Sequence, residues 1–139
     1  MTTTAAVTFL WLGMVLAISF LEAPLKFRAP DVTVRIGLGI GRLVFRALNA
    51  VEVVLAVVLL VALVLDRSST AATVTLGLAI VVLAAQLIAV RPRLTRRSDA
   101  VLAGRDDAPQ SHAHLVYVGL EAVKVLALLA GGVLLLSAG

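Results

Sequence analysis

Residues 47–90 read ALNAVEVVLAVVLLVALVLDRSSTAATVTLGLAIVVLAAQLIAV, two apolar runs separated only by Asp66, Arg67, Ser68 and Ser69. Each run is about 20 residues long, the length an α-helix needs to cross the roughly 30 Å hydrocarbon core of a bilayer. The stretch therefore predicts a transmembrane hairpin, with one span over about 47–65, a second over about 70–90, and a tight polar turn between them.

Working outward toward the N-terminus, MTTTAAVTFLWLGMVLAISFL has an apolar run too long for a signal-peptide core and no positively charged leader, so it reads as an uncleaved first span over about 4–25. Pro24 and Pro30 are expected to end that helix, since proline breaks the backbone hydrogen-bond ladder. Asp31 is the expected N-cap of the next segment, VTVRIGLGIGRLVFR (32–46). There Arg35, Arg42 and Arg46 follow at offsets of seven and four and fall on one side of a helix. This basic amphipathic stripe suits anionic lipid headgroups, on a helix that either lies at headgroup level or extends the second span. Gly37, Gly39 and Gly41 have no preceding strand and so read as points of close helix approach, not as a phosphate loop.

Working outward toward the C-terminus, RPRLTRRSDAVLAGRDDAPQSHAH is the only extended hydrophilic stretch, and a fourth span follows over about 114–136. Hydrophobic residues make up 61 % of the 139 and charged residues only 14 %, far from the balance of a soluble domain. The formal charge of +4 is carried largely by the connections, which points to lipid headgroups and away from nucleic acid. With no cysteine, disulfides and thiolate chemistry are excluded. The expected fold is an all-α integral membrane protein, a single domain over 1–139 forming a four-transmembrane-helix bundle. Lys26, Arg28 and Arg35 on the first connection, with Arg91, Arg93, Arg96, Arg97 and Arg105 on the third, place both connections in the cytoplasm. Both termini are then non-cytoplasmic, in a multi-pass protein of the plasma (inner) membrane.

Ionisable residues inside spans are costly and often functional. The fourth span carries His114, Tyr117, Glu121 and Lys124 at offsets of three, four and three, which form a polar stripe. The first span offers Ser19, Glu22 and Lys26, the second Asn49 and Glu52, and the third Gln86. Counted inward at about 1.5 Å per residue, Glu52 lies about 9 Å beyond Arg46 and Gln86 about 7 Å from Arg91. Glu121 and Lys124 lie about 10 and 15 Å from His114 by the same measure. One polar layer in the cytoplasmic half is expected. Three readings of it stand open: a register-fixing network with pairs such as Glu121–Lys124 or Glu22–Lys26; a cytoplasm-facing cavity for a small cation, a proton or a polar headgroup; and a metal site. His112 and His114 are weak metal or haem candidates, and no cofactor is expected. No catalytic motif is evident.

The segments TFLWLGMVLAISFLEAPLKFR and SHAHLVYVGLEAVKVLALL resemble small bacterial four-helix membrane proteins of unknown function grouped with the eukaryotic transmembrane protein 205 family. The resemblance is carried by Trp11, Gly13, Ala23, Pro24 and Phe27, and by the histidine that opens the last helix. It implies a four-helix fold and no settled activity. The expected role is that of a non-enzymatic membrane protein, a homo-oligomer or assembly subunit, whose polar layer binds or passes its ligand. The alternative is a metal- or haem-binding redox protein using His112, His114 and the glutamates.

Overall fold

The computed structural model describes residues 2–90, 92 and 113–138, and among these it contains helices and short connections but no strand. Four helices result: α1 (Thr2–Arg28), α2 (Val34–Asp66), α3 (Thr70–Ala85, continued by a wide π turn over Gln86–Val90) and α4 (Ala113–Ala138). Each is long and apolar enough to cross a membrane. The chain is thus a four-helix membrane bundle by length and composition.

Helix α1 runs on past Pro24 to Arg28, three residues beyond the expected end near Leu25 and between the two prolines expected to bracket its exit. After Val15 it widens into π turns over Leu16–Glu22, in which the Ala23 N–H reaches back five residues to the Ile18 carbonyl. Pro24 then sits inside a short α turn, Ala23–Leu25, before the helix tightens over Lys26–Arg28. In a regular α-helix the proline ring would press on the carbonyl four residues earlier, and the extra residue in the wide turn relieves this. The real stop is Ala29, extended at ψ 142°. It precedes Pro30, whose ring drives its neighbour out of the helical region.

A second correction concerns the start of α2. Asp31 adopts a left-handed turn conformation at φ 67° and does not cap the helix. Thr33 does, its hydroxyl oxygen accepting the Ile36 N–H at 3.1 Å. The basic segment forms the first turns of α2, so the reading in which it extends the second span holds. With 33 residues, α2 is about 50 Å long and overreaches a hydrocarbon core of roughly 30 Å. Arg67, left-handed at φ 47°, ends it, and Ser69 caps α3 through the Ala72 N–H.

Thr4 at the start of α1 donates to Asp66 at the end of α2 at 2.6 Å, so the two run antiparallel. Helix α4 packs along α3 and α1, and α1 packs along α2. The core is built from Trp11, Val15, Leu59, Leu76, Ala79 and Leu128, all fully buried. Gly131 leaves room for the Leu76 side chain and Gly132 for the Phe9 ring, where any Cβ would collide. These two glycines therefore serve contacts inside the bundle. Gly37 does the same for the Phe27 ring, whereas Gly39 faces open space. The outside is studded with exposed aliphatics such as Leu43, Val64, Leu65, Val81 and Ile88, as a lipid-facing surface must be.

Candidate functional site: a buried charge cluster between the helices

The four helices meet around the Lys124 ammonium. Its Nζ lies 2.5 Å from Glu52 Oε2 on α2 and 2.5 Å from Glu121 Oε1 on its own helix, and it donates to Gln86 Oε1 on α3 at 2.9 Å. Helical periodicity accounts for the local part: three residues separate Glu121 from Lys124, so both project on one side. The remaining partners come from tertiary packing. Gln86 donates from Nε2 to Glu121 Oε1 at 2.9 Å and to the Tyr117 carbonyl at 3.3 Å. From α1, the Trp11 indole N–H donates to Glu52 Oε2 at 2.8 Å, and the Ser19 hydroxyl donates to Glu121 Oε2 at 2.5 Å. Relative exposure is 0 % for Glu52 and Lys124 and 1 % for Gln86 and Glu121, so the cluster is closed to solvent.

Both wide turns among the described residues serve this cluster. Ser19 lies within the π turns of α1, and Gln86 opens the π turn of α3. Such turns recur at functional sites because they redirect side chains that a regular helix would aim elsewhere.

Two carboxylates face one ammonium, a formal sum of −1 in a buried site. The oxygens are not equally served. Both oxygens of Glu121 accept donors, as does Glu52 Oε2, but Glu52 Oε1 is fully buried with no hydrogen-bond partner among the described residues. An unpartnered acceptor in such a place is expensive and calls for an explanation.

The other polar residues anticipated from sequence fall into a second tier toward the end of the bundle that carries Arg35, Arg42 and Arg46. Tyr117 donates from its hydroxyl to Asn49 Oδ1 at 3.5 Å, and its ring meets Phe45 edge-on with centroids 6.0 Å apart. Beyond them, the Lys26 ammonium lies 5.6 Å from the centre of the Phe45 ring and 3.9 Å from Glu22 Oε2. Glu22 and Lys26 thus pair with each other and stand apart from the cluster. Arg35 and Arg46 are exposed on the first turns of α2, while Arg42 is half-buried. His112 lies outside the described residues, and the His114 side chain is likewise not described. Among the described residues no group of three or more His, Cys, Asp or Glu side chains is placed to hold a metal.

Trp11 was not anticipated as a member of the cluster. The signal was present in principle, because a buried indole N–H seeks an acceptor, and Trp11 is the only tryptophan, set in an apolar run.

Compared with protein-family models, curated proteins and solved structures, the chain matches none.

Proposed function

We propose that this chain is a non-enzymatic membrane protein whose Glu52–Glu121–Lys124 cluster takes up one unit of positive charge, as a small monovalent cation or a proton, and exchanges it with the side of the membrane facing the basic end. The observation that carries this reading is the charge imbalance around Lys124 together with the bare Glu52 Oε1. An uncompensated charge buried in low dielectric is strongly unfavourable, so a site with a formal sum of −1 is made for a positive partner.

The sidedness follows from the same layout. Glu52 stands six residues from Arg46, about 9 Å along α2, and fourteen from Asp66, about 21 Å. The longer way is lined mainly by Leu55, Leu59 and Leu63, with the Thr8 and Thr4 hydroxyls engaged toward its far end, the shorter by Asn49, Tyr117 and Lys26. By the positive-inside rule the basic end belongs in the cytoplasm, which places both termini outside in a plasma (inner) membrane. Action as a homo-oligomer or as a subunit of a larger assembly belongs to the same proposal. Kinship with the transmembrane protein 205 family also belongs to it and rests on Trp11, Gly13, Ala23, Pro24 and Phe27.

The test is the melting temperature of detergent-purified protein across pH and a panel of alkali cations, for the wild type and Glu52→Gln. Stabilisation of the wild type by protons or by one cation, absent from the variant, is the expected result. A wild type indifferent to every condition would refute the reading and leave the cluster a structural network.

A further inference from the structure

Resting on the reading of the cluster as a cation site, we propose that the positive charge it takes is a proton, and that Glu52 Oε1 is the atom that receives it. The donor inventory decides between a proton and a metal ion. A hard cation such as Na+ or K+ is bound by several oxygens turned toward it at once, as hard cations are in general. Here the groups surrounding the carboxylates are donors: the Lys124 ammonium, the Trp11 indole N–H, the Ser19 hydroxyl and the Gln86 amide N–H. The Gln86 carbonyl oxygen already accepts from Lys124. What remains is one carboxylate oxygen, Glu52 Oε1. One oxygen is a poor cradle for a metal and a sufficient one for a proton.

The choice between the two carboxyl groups rests on the same inventory. A proton on Glu121 would share Oε2 with the Ser19 donor or compete with Lys124 and Gln86 at Oε1, because both of its oxygens already accept. A proton on Glu52 Oε1 displaces nothing. With it bound, the formal charge of Glu52, Glu121 and Lys124 sums to zero; when it leaves to water at the basic end, the sum returns to −1. The ionisable groups around Glu52 are Glu121, Lys124 and Tyr117 on α4. Helix α3 presents Gln86, which does not titrate, and the ionisable residues of α1 begin at Glu22, eleven residues and about 16 Å beyond Trp11. On α2 itself the nearest is Arg46, about 9 Å away along the axis.

Infrared difference spectroscopy between acid and alkaline pH on the detergent-solubilised full chain tests this directly. The wild type is expected to show the C=O stretch of one buried protonated carboxyl group, slow to exchange in deuterium oxide and unchanged by swapping Na+ for K+ or Li+. Glu52→Gln and Glu121→Gln should each abolish it, since either leaves one carboxylate against Lys124 and no charge to neutralise. Assignment comes from the neighbours. Trp11→Phe removes a hydrogen bond from Glu52 Oε2 and should shift the band to higher frequency, while Ser19→Ala, which touches only Glu121, should leave it in place. A band moved by Ser19→Ala and not by Trp11→Phe would overturn the assignment to Glu52. Stabilisation by an alkali cation with no carboxyl band would overturn the proton while leaving the cation reading intact. Neither band nor ion-dependent stabilisation would overturn both.

Discussion

The two ends of this bundle are held together by opposite means. Toward the Asp66–Ser69 turn, Leu59, Leu76, Leu128 and Leu135 fill the interior, and Gly131 and Gly132 admit the Leu76 and Phe9 side chains. Apart from the Thr4 and Thr8 hydroxyls, which donate to Asp66 and to the Thr4 carbonyl, shape is the main requirement there, and the helices remain regular through it. Toward the basic end the interior is Glu52, Gln86, Glu121 and Lys124, and two of the four helices open into π turns beside them. A leucine interface can be assembled from standard helices, whereas a hydrogen-bond network must aim each donor and reshapes the backbone to do so.

The comparison is broken most severely by removing the ammonium at its centre. Lys124→Met leaves two buried carboxylates without their counter-charge, and breaking a buried pair from one side costs about 3–5 kcal/mol. Adding Glu121→Gln returns the formal sum from −2 to the wild-type −1 but leaves Glu52 without its counter-charge, so the double variant should recover part of that loss. Unfolding in mixed detergent measures both. Equal losses for the single and double variants would mean that the two side chains do not act as a pair.

The apolar end should fail by a different mechanism and by less. Gly131→Val sets a branched side chain where Leu76 already lies, and overpacking of this kind costs about 1–3 kcal/mol. Gly39→Val, with nothing within 4 Å of its added Cβ, is the control and should be nearly silent. If the two behave alike, the glycines of the dry end are not packing sites.

Within the polar end, Trp11→Phe keeps the ring's bulk and deletes one donor to Glu52. Hydrogen bonds between membrane helices average about 0.6 kcal/mol and reach about 1.7, so a loss near 1 kcal/mol is expected. The same variant in a Glu52→Gln background should cost less, because an amide oxygen is a weaker acceptor than a carboxylate. An undiminished loss there would assign the effect to packing of the ring.

How much of this was legible beforehand divides along the same line. The four apolar runs are readable from length alone, and the stripe of Tyr117, Glu121 and Lys124 from helical offsets, because both depend on local geometry. The i,i+3 pair Glu121–Lys124 and the i,i+4 pair Glu22–Lys26 were readable for the same reason. The contact of Lys124 with Glu52, 72 residues away, was not, since it depends on which helix faces which. Nor were the π turns, through which Pro24 sits inside a helix and not at its end. Asp31 and Thr33 are both good capping residues, and the choice between them fell to the turn that Pro30 imposes on the chain.

The smallest effects should come from the helix starts, and there the comparison ought to vanish. Thr33 caps α2 at the basic end and Ser69 caps α3 at the opposite end, each hydroxyl accepting the N–H three residues on. Thr33 is exposed, as is Ile36, whose N–H it receives. Water can therefore replace the lost acceptor, and Thr33→Ala should cost only about 0.5–1 kcal/mol, read as fraying of the first turn in amide exchange. Ser69→Ala should cost slightly more, because the Ala72 N–H it serves belongs to a buried residue. A Thr33→Ala loss well above that of Ser69→Ala would mean that the start of α2 is shielded from water. The basic end would then be part of a second contact surface, with headgroups or another subunit lying over it.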